Sequence, residues 1–88
     1  MFKEIKAPNG WNFNNAFNYW QKTNGNVIAY ISEIANGYQL LLFDNAKINF
    51  SEHEIRTDDL TENGYTKLFS LGDSLLKGHS LAGKNYWI

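Results

Sequence analysis

Cysteine is absent from this chain of 88 residues. That absence removes a disulfide framework, thiolate zinc sites and cysteine nucleophiles together. Long hydrophobic runs are missing too: "MFKEIKAPNG" at the N-terminus holds no apolar stretch of signal-peptide length, and "YQLLLF" at 38–43 is far too short to cross a bilayer. The expectation is a soluble cytoplasmic protein with no membrane association. Positive charge is scarce, with Arg56 the only arginine and a formal net charge of −1. A phosphate-backbone binder needs several cations that release counterions, so direct nucleic-acid binding is not expected.

Histidine and the catalytic constellations are equally thin. His53 and His79 have no second histidine three or four residues away, so neither reads as a metal ligand or a catalytic base. The glycine-flanked serines of "LGDS" and "GHS" do not form a nucleophile elbow, and "GNVIAY" lacks the further glycines of a phosphate-binding loop. No nucleophile, base and stabiliser assemble, so the chain is expected to be non-enzymatic, without cofactor or metal.

What remains is aromatic and asparagine-rich. Apolar residues make up 43% and charged ones 19%, enough for one domain spanning 1–88 to build a core. Asn-Gly occurs at 9–10, 24–25, 36–37 and 63–64, and both residues tolerate positive φ, so each reads as a turn. Between and beside them, 17–23, 26–34 and 38–43 are rich in β-branched and aromatic residues and read as a three-stranded antiparallel meander. The central strand is apolar on both faces, so a helix should cover one face. Phe13, Ala16, Phe17 and Trp20 also fit a helical stripe, but Asn14, Asn15 and Asn18 disfavour a helix interior, and the hairpin reading is preferred. Residues 2–6 read as a short edge strand, 44–64 as a long polar connection in which Ile48 and Phe50 suggest a brief fourth strand. Ser70 and Asp73 resemble a capping box, predicting a helix over 71–82 that ends near Gly83; a longer helix from Tyr65 would carry Gly72 and Gly78 inside it. The fold class expected is α+β: a small antiparallel sheet of three to four strands packed on one C-terminal helix.

Two features are candidates for function. Residues 52–62 collect Glu52, Glu54, Asp58, Asp59 and Glu62 against Arg56 alone, an acidic loop suited to a protein partner with a basic surface. The terminal "NYWI" brings Tyr86 and Trp87, residue types enriched at interfaces, to the end of the chain. An alternative uses Tyr19, Trp20, Tyr30 and Tyr38 as a stacking face for single-stranded bases, although Lys22 is the only cation nearby.

The order "YWQKTNGNVIAYI", "NGYQLLLF", a polar stretch and "FSLGDSLLKG" resembles the small three-strand-plus-helix proteins of phages and mobile elements, among them several anti-CRISPR proteins. The resemblance covers residues 17–82 by element order and transfers no functional residue. It implies a non-enzymatic inhibitor that blocks a host nucleic-acid-binding complex by docking the acidic loop on its basic surface. A toxin-immunity or structural interaction protein would use the same surface.

Overall fold

The computed structural model describes residues 2–44, 51–78 and 84–88. A 3-10 turn (Phe2–Glu4) precedes β1 (Asn12–Asn14), β2 (Tyr19–Asn24), β3 (Val27–Ile34), β4 (Gly37–Asp44), β5 (Ser51–Thr57), α1 (Glu62–Leu76) and β6 (Lys84–Trp87). Strands lie in the sheet in chain order, β1 to β5 antiparallel and β6 parallel to β5. The fold is α+β, as expected, with more strands than the three to four anticipated and with a strand following the helix. A parallel partner needs a crossover, and α1 supplies it.

Five asparagine-rich residues between Phe13 and Tyr19 turn out to build a hairpin rather than a helix. Phe13 and Trp20, spaced like a helical i, i+7 pair, sit opposite each other across β1 and β2 with ring centroids 5.2 Å apart. Asn14 Oδ1 accepts the N–H groups of Ala16 (2.9 Å) and Phe17 (3.2 Å), and Asn18 takes φ 58°. Short polar side chains that bond their own backbone favour this turn over a helix.

The Asn-Gly dipeptides serve four different ends. In the β2–β3 hairpin Asn24 pairs with Val27, leaving Gly25–Asn26 as the two-residue loop, and Gly25 has φ +60°. Glycine first in a two-residue loop is the requirement of a II′ turn. Gly25→Val should therefore destabilise the domain by about 1–2 kcal/mol through backbone strain alone, since the added Cβ meets nothing within 4 Å; an unchanged urea midpoint would refute the turn. Gly10 (φ +91°) ends a turn closed by Trp11 N–H donating to Pro8 C=O at 3.4 Å. By contrast, Gly37 opens β4 after an Ala35–Asn36 loop, and Gly64 lies in the first turn of α1; neither has positive φ. Those two positions need glycine for space.

Three further expectations are corrected. Residues 2–6 are not an edge strand: Phe2 is buried, stacked on Tyr38 at 5.5 Å, and its carbonyl accepts Trp20 Nε1–H at 3.1 Å. The helix occupies 62–76, not 71–82, so Ser70 and Asp73 lie inside it and form no capping box. It starts after Asp59 Oδ1 accepts Thr61 N–H (2.9 Å) and the Thr61 hydroxyl, and it stops at Lys77 with Gly78 at φ +103°, the left-handed residue that commonly closes a helix. Gly72 costs about 1 kcal/mol in propensity, but a Cβ there would meet the Trp11 ring at 2.8 Å, so packing overrides the propensity. Finally, the expected long connection 44–64 contains strand β5 and runs into α1 at Glu62; Ile48 and Phe50, as well as His79 and Gly83, lie outside the described residues.

Buried residues of α1 (Gly64, Leu68, Phe69, Gly72, Leu76) recur at helical spacing and pack on Ile31, Leu40, Leu42 and Ile55 of the sheet, all at or near zero exposure. Trp11 and Trp20 fill the end of this layer beside Phe69. Asp73 Oδ1 accepts Lys22 Nζ at 2.6 Å and Trp11 Nε1–H at 3.0 Å, tying helix to sheet.

Candidate functional site

Strand alternation and register assign every paired residue to one of two faces. The row Trp20–Ile31–Leu40–Ile55 lies under α1; the neighbouring rows Tyr19–Ser32–Gln39–Arg56–Trp87 and Gln21–Tyr30–Leu41–Glu54 lie on the opposite face. Among the described elements none lies over that second face. An antiparallel sheet can leave one face to solvent, and on this one polar Gln21, Ser32, Gln39, Glu54 and Arg56 are interleaved with a run of aromatic rings. Phe17 stacks on Tyr19 (6.0 Å, 10°), Tyr19 meets Tyr30 edge-on (4.7 Å), and Tyr30 meets Phe43 edge-on (5.7 Å). Ile28, paired with Phe43, and Leu41, paired with Tyr30, share this face, and Trp87, in register with Arg56, is 57% exposed.

The electrostatics of this face are sparse. Arg56 donates Nη2–H to Glu54 Oε2 at 2.9 Å and Nε–H to Gln39 Oε1 at 3.1 Å, so its planar guanidinium is held flat against the sheet. Tyr30 ionises above its ordinary value of 10, first because its neighbours exclude water and second because of Tyr19. Its hydroxyl is neutral at physiological pH.

Of the four aromatics expected on a common stacking face, the structure brings only Tyr19 and Tyr30 together. Trp20 and Tyr38 are 8% exposed on the helix side, where they serve the core. Period-two alternation within "YWQKTN" already separates Tyr19 from Trp20 once the strand is assigned. Phe17, Leu41 and Phe43 were not anticipated as surface residues, because nothing local distinguishes the uncovered face of an all-apolar strand from the covered one.

The five acids do not form one loop. Glu52 and Glu54 belong to β5, Asp58 and Asp59 to the turn after it, and Glu62 opens α1. Glu54 is paired with Arg56 on the uncovered face, while Asp59 is spent on Thr61, whose hydroxyl and N–H bonds hold its carboxyl below the usual carboxylate range. Asp58 and Glu62 remain exposed on either side of Leu60, itself 60% exposed. Glu33, on β3, pairs with Tyr38, and the Tyr38 hydroxyl ionises above its ordinary value through burial and then through Glu33, Tyr65 and Asp59. Tyr86 and Trp87 join the sheet through β6, in register with Ile55 and Arg56, and Ile88 N–H donates to Arg56 C=O at 2.8 Å.

Among the described residues no group of three His, Asp or Glu is placed to hold a metal, and no helix is long and apolar enough to cross a membrane. Comparison of the chain with protein-family models, curated proteins and solved structures finds no match.

Proposed function

We propose that this chain is a non-enzymatic protein-binding module acting in the cytoplasm, and that its recognition surface is the uncovered sheet face. The observation that carries this is the unbroken ring series Phe17–Tyr19–Tyr30–Phe43 on the side away from α1. Tyr, Phe, Trp and Arg are the residues enriched at the centres of protein interfaces, whereas a sheet that stacks nucleotide bases interleaves its aromatics with several free cations. Among the described residues of this face the cation is Arg56, and Glu54 and Gln39 already engage it.

The acidic corner offers a second surface, where Asp58 and Glu62 stand exposed on either side of exposed Leu60. An inhibitor of the phage type would use it to occupy a basic, phosphate-holding surface of a host complex, with the carboxylates pairing the partner's lysines and arginines.

One capture experiment separates the two surfaces. The immobilised chain, its Leu41→Lys variant and its Asp58→Asn/Glu62→Gln variant are each exposed to bacterial lysate, and bound proteins are identified by mass spectrometry. Asp59 is left intact because its turn is structural. Leu41→Lys should weaken capture at least tenfold, about 1.4 kcal/mol, while the acid-neutralised variant retains it. The opposite pattern selects the acidic corner, and a labelled oligonucleotide that shifts at low salt would replace both with a nucleic-acid reading.

A further inference from the structure

We infer that the occupant of the uncovered face is a second copy of this chain, packed sheet against sheet about a two-fold axis; the inference rests on reading that face as a protein interface. Charge is the first argument. Among the described residues, the register places one anion and one cation there, Glu54 and Arg56, bonded to each other at 2.9 Å. A strongly basic or acidic partner finds no complementary field on a neutral surface. A second copy brings the same neutral surface with its two charges already paired, and an isologous contact uses the same patch on both sides.

Area is the second argument. The six strands hold 36 residues, each occupying about 3.3 Å along and 4.8 Å across the sheet, so the face spans about 570 Å² in projection. Side-chain relief raises accessible area above projected area, toward the roughly 800 Å² per partner of a standard stable interface. Two such sheets pack about 10 Å apart with their inner side chains interdigitating.

The edges provide the third argument, by exclusion. Association through strand pairing would use β1 or β6, which are three and four residues long. Short edge strands offer few hydrogen bonds to a neighbour. The face is the larger surface, and it holds the aromatic anchors.

Sedimentation equilibrium of the full chain between about 1 and 100 µM tests this, alongside Leu41→Lys and, separately, Tyr30→Lys, with circular dichroism confirming that each variant is folded. The parent should sediment at twice its 10.1 kDa, and each folded variant should dissociate at least about 100-fold more readily, because a lysine would be buried twice in the symmetric contact. A parent of 10.1 kDa across the whole range overturns the second copy, yet leaves the face as an interface if Leu41→Lys still abolishes capture of another protein. Dimers equally tight in the parent and a folded variant overturn the inference and also remove this face as the interface. Should one lysine variant fail to fold, the other and the parent's own mass still decide.

Discussion

Gly37→Ala is expected to abolish cooperative folding or to lower stability by about 3 kcal/mol or more. An alanine Cβ at this position would stand 1.8 Å from the Thr57 carbonyl oxygen and 2.8 Å from its carbon. Both are backbone atoms, so no rotamer change relieves the overlap. Separating them would pull apart β4 and β5 at the Tyr38–Thr57 pair, where Thr57 is 2% exposed and its hydroxyl accepts Asp59 N–H at 3.1 Å. The loss propagates to the turn that launches α1. Against a total stability of roughly 4–13 kcal/mol for a domain of this length, that is a large fraction. Urea unfolding followed by circular dichroism measures it, and an unchanged midpoint would show that Gly37 does not lie against Thr57. The same reasoning extends to Gly64, whose added Cβ would stand 1.9 Å from the Asp59 carbonyl oxygen.

Phe69→Ala should cost about 3–5 kcal/mol and lower the melting temperature by roughly 15–30 °C. Phe69 is 2% exposed and is the aromatic hub of the core, edge-on to Trp11 (5.0 Å), Trp20 (6.0 Å) and Tyr65 (6.4 Å). Deleting the ring removes its burial and leaves a cavity walled by two indoles and a sheet, elements too stiff to collapse fully into the space. Tryptophan fluorescence should change with it, because Trp11 and Trp20 lose their common neighbour. A shift below a few degrees would mean that helix and sheet are held by something other than this cluster. The uncovered face lies on the far side of the sheet, so any folded fraction of the variant should keep the interactions made there.

The clashes that a Cβ would make at Gly37 and Gly64 show why these two glycines could not be interpreted from their neighbours. Asn36-Gly37 and Asn63-Gly64 look identical to Asn24-Gly25 as dipeptides, and a preference for positive φ is the only property a dipeptide can reveal. Gly25 uses that freedom; Gly37 and Gly64 are required because a carbonyl from a distant or folded-back segment passes within van der Waals range. Gly72 within α1 follows the same logic, making room for Trp11 from sixty residues earlier in the chain.

Local chemistry by itself determined the central β2–β3–β4 meander and the presence of one helix, because alternation, β-branching and turn-forming asparagine act over a few residues. It likewise determined that no cysteine chemistry is possible. Tertiary structure decided the rest. Polar "SEHEIRT" becomes strand β5 since β4 presents an unpaired edge and Ile55 and Thr57 can be buried against it, so propensity yields to pairing. β6 forms by parallel addition, which no local pattern can announce. The helix begins at Glu62 rather than at 71 because Leu68 and Phe69 find the sheet there and packing outweighs the cost of Gly72. Which face of the apolar strands stays open was also a tertiary outcome. Val27, Ala29 and Ile31 are no more hydrophobic than Ile28 and Tyr30, and only the docking of α1 on one side separates a core from a surface.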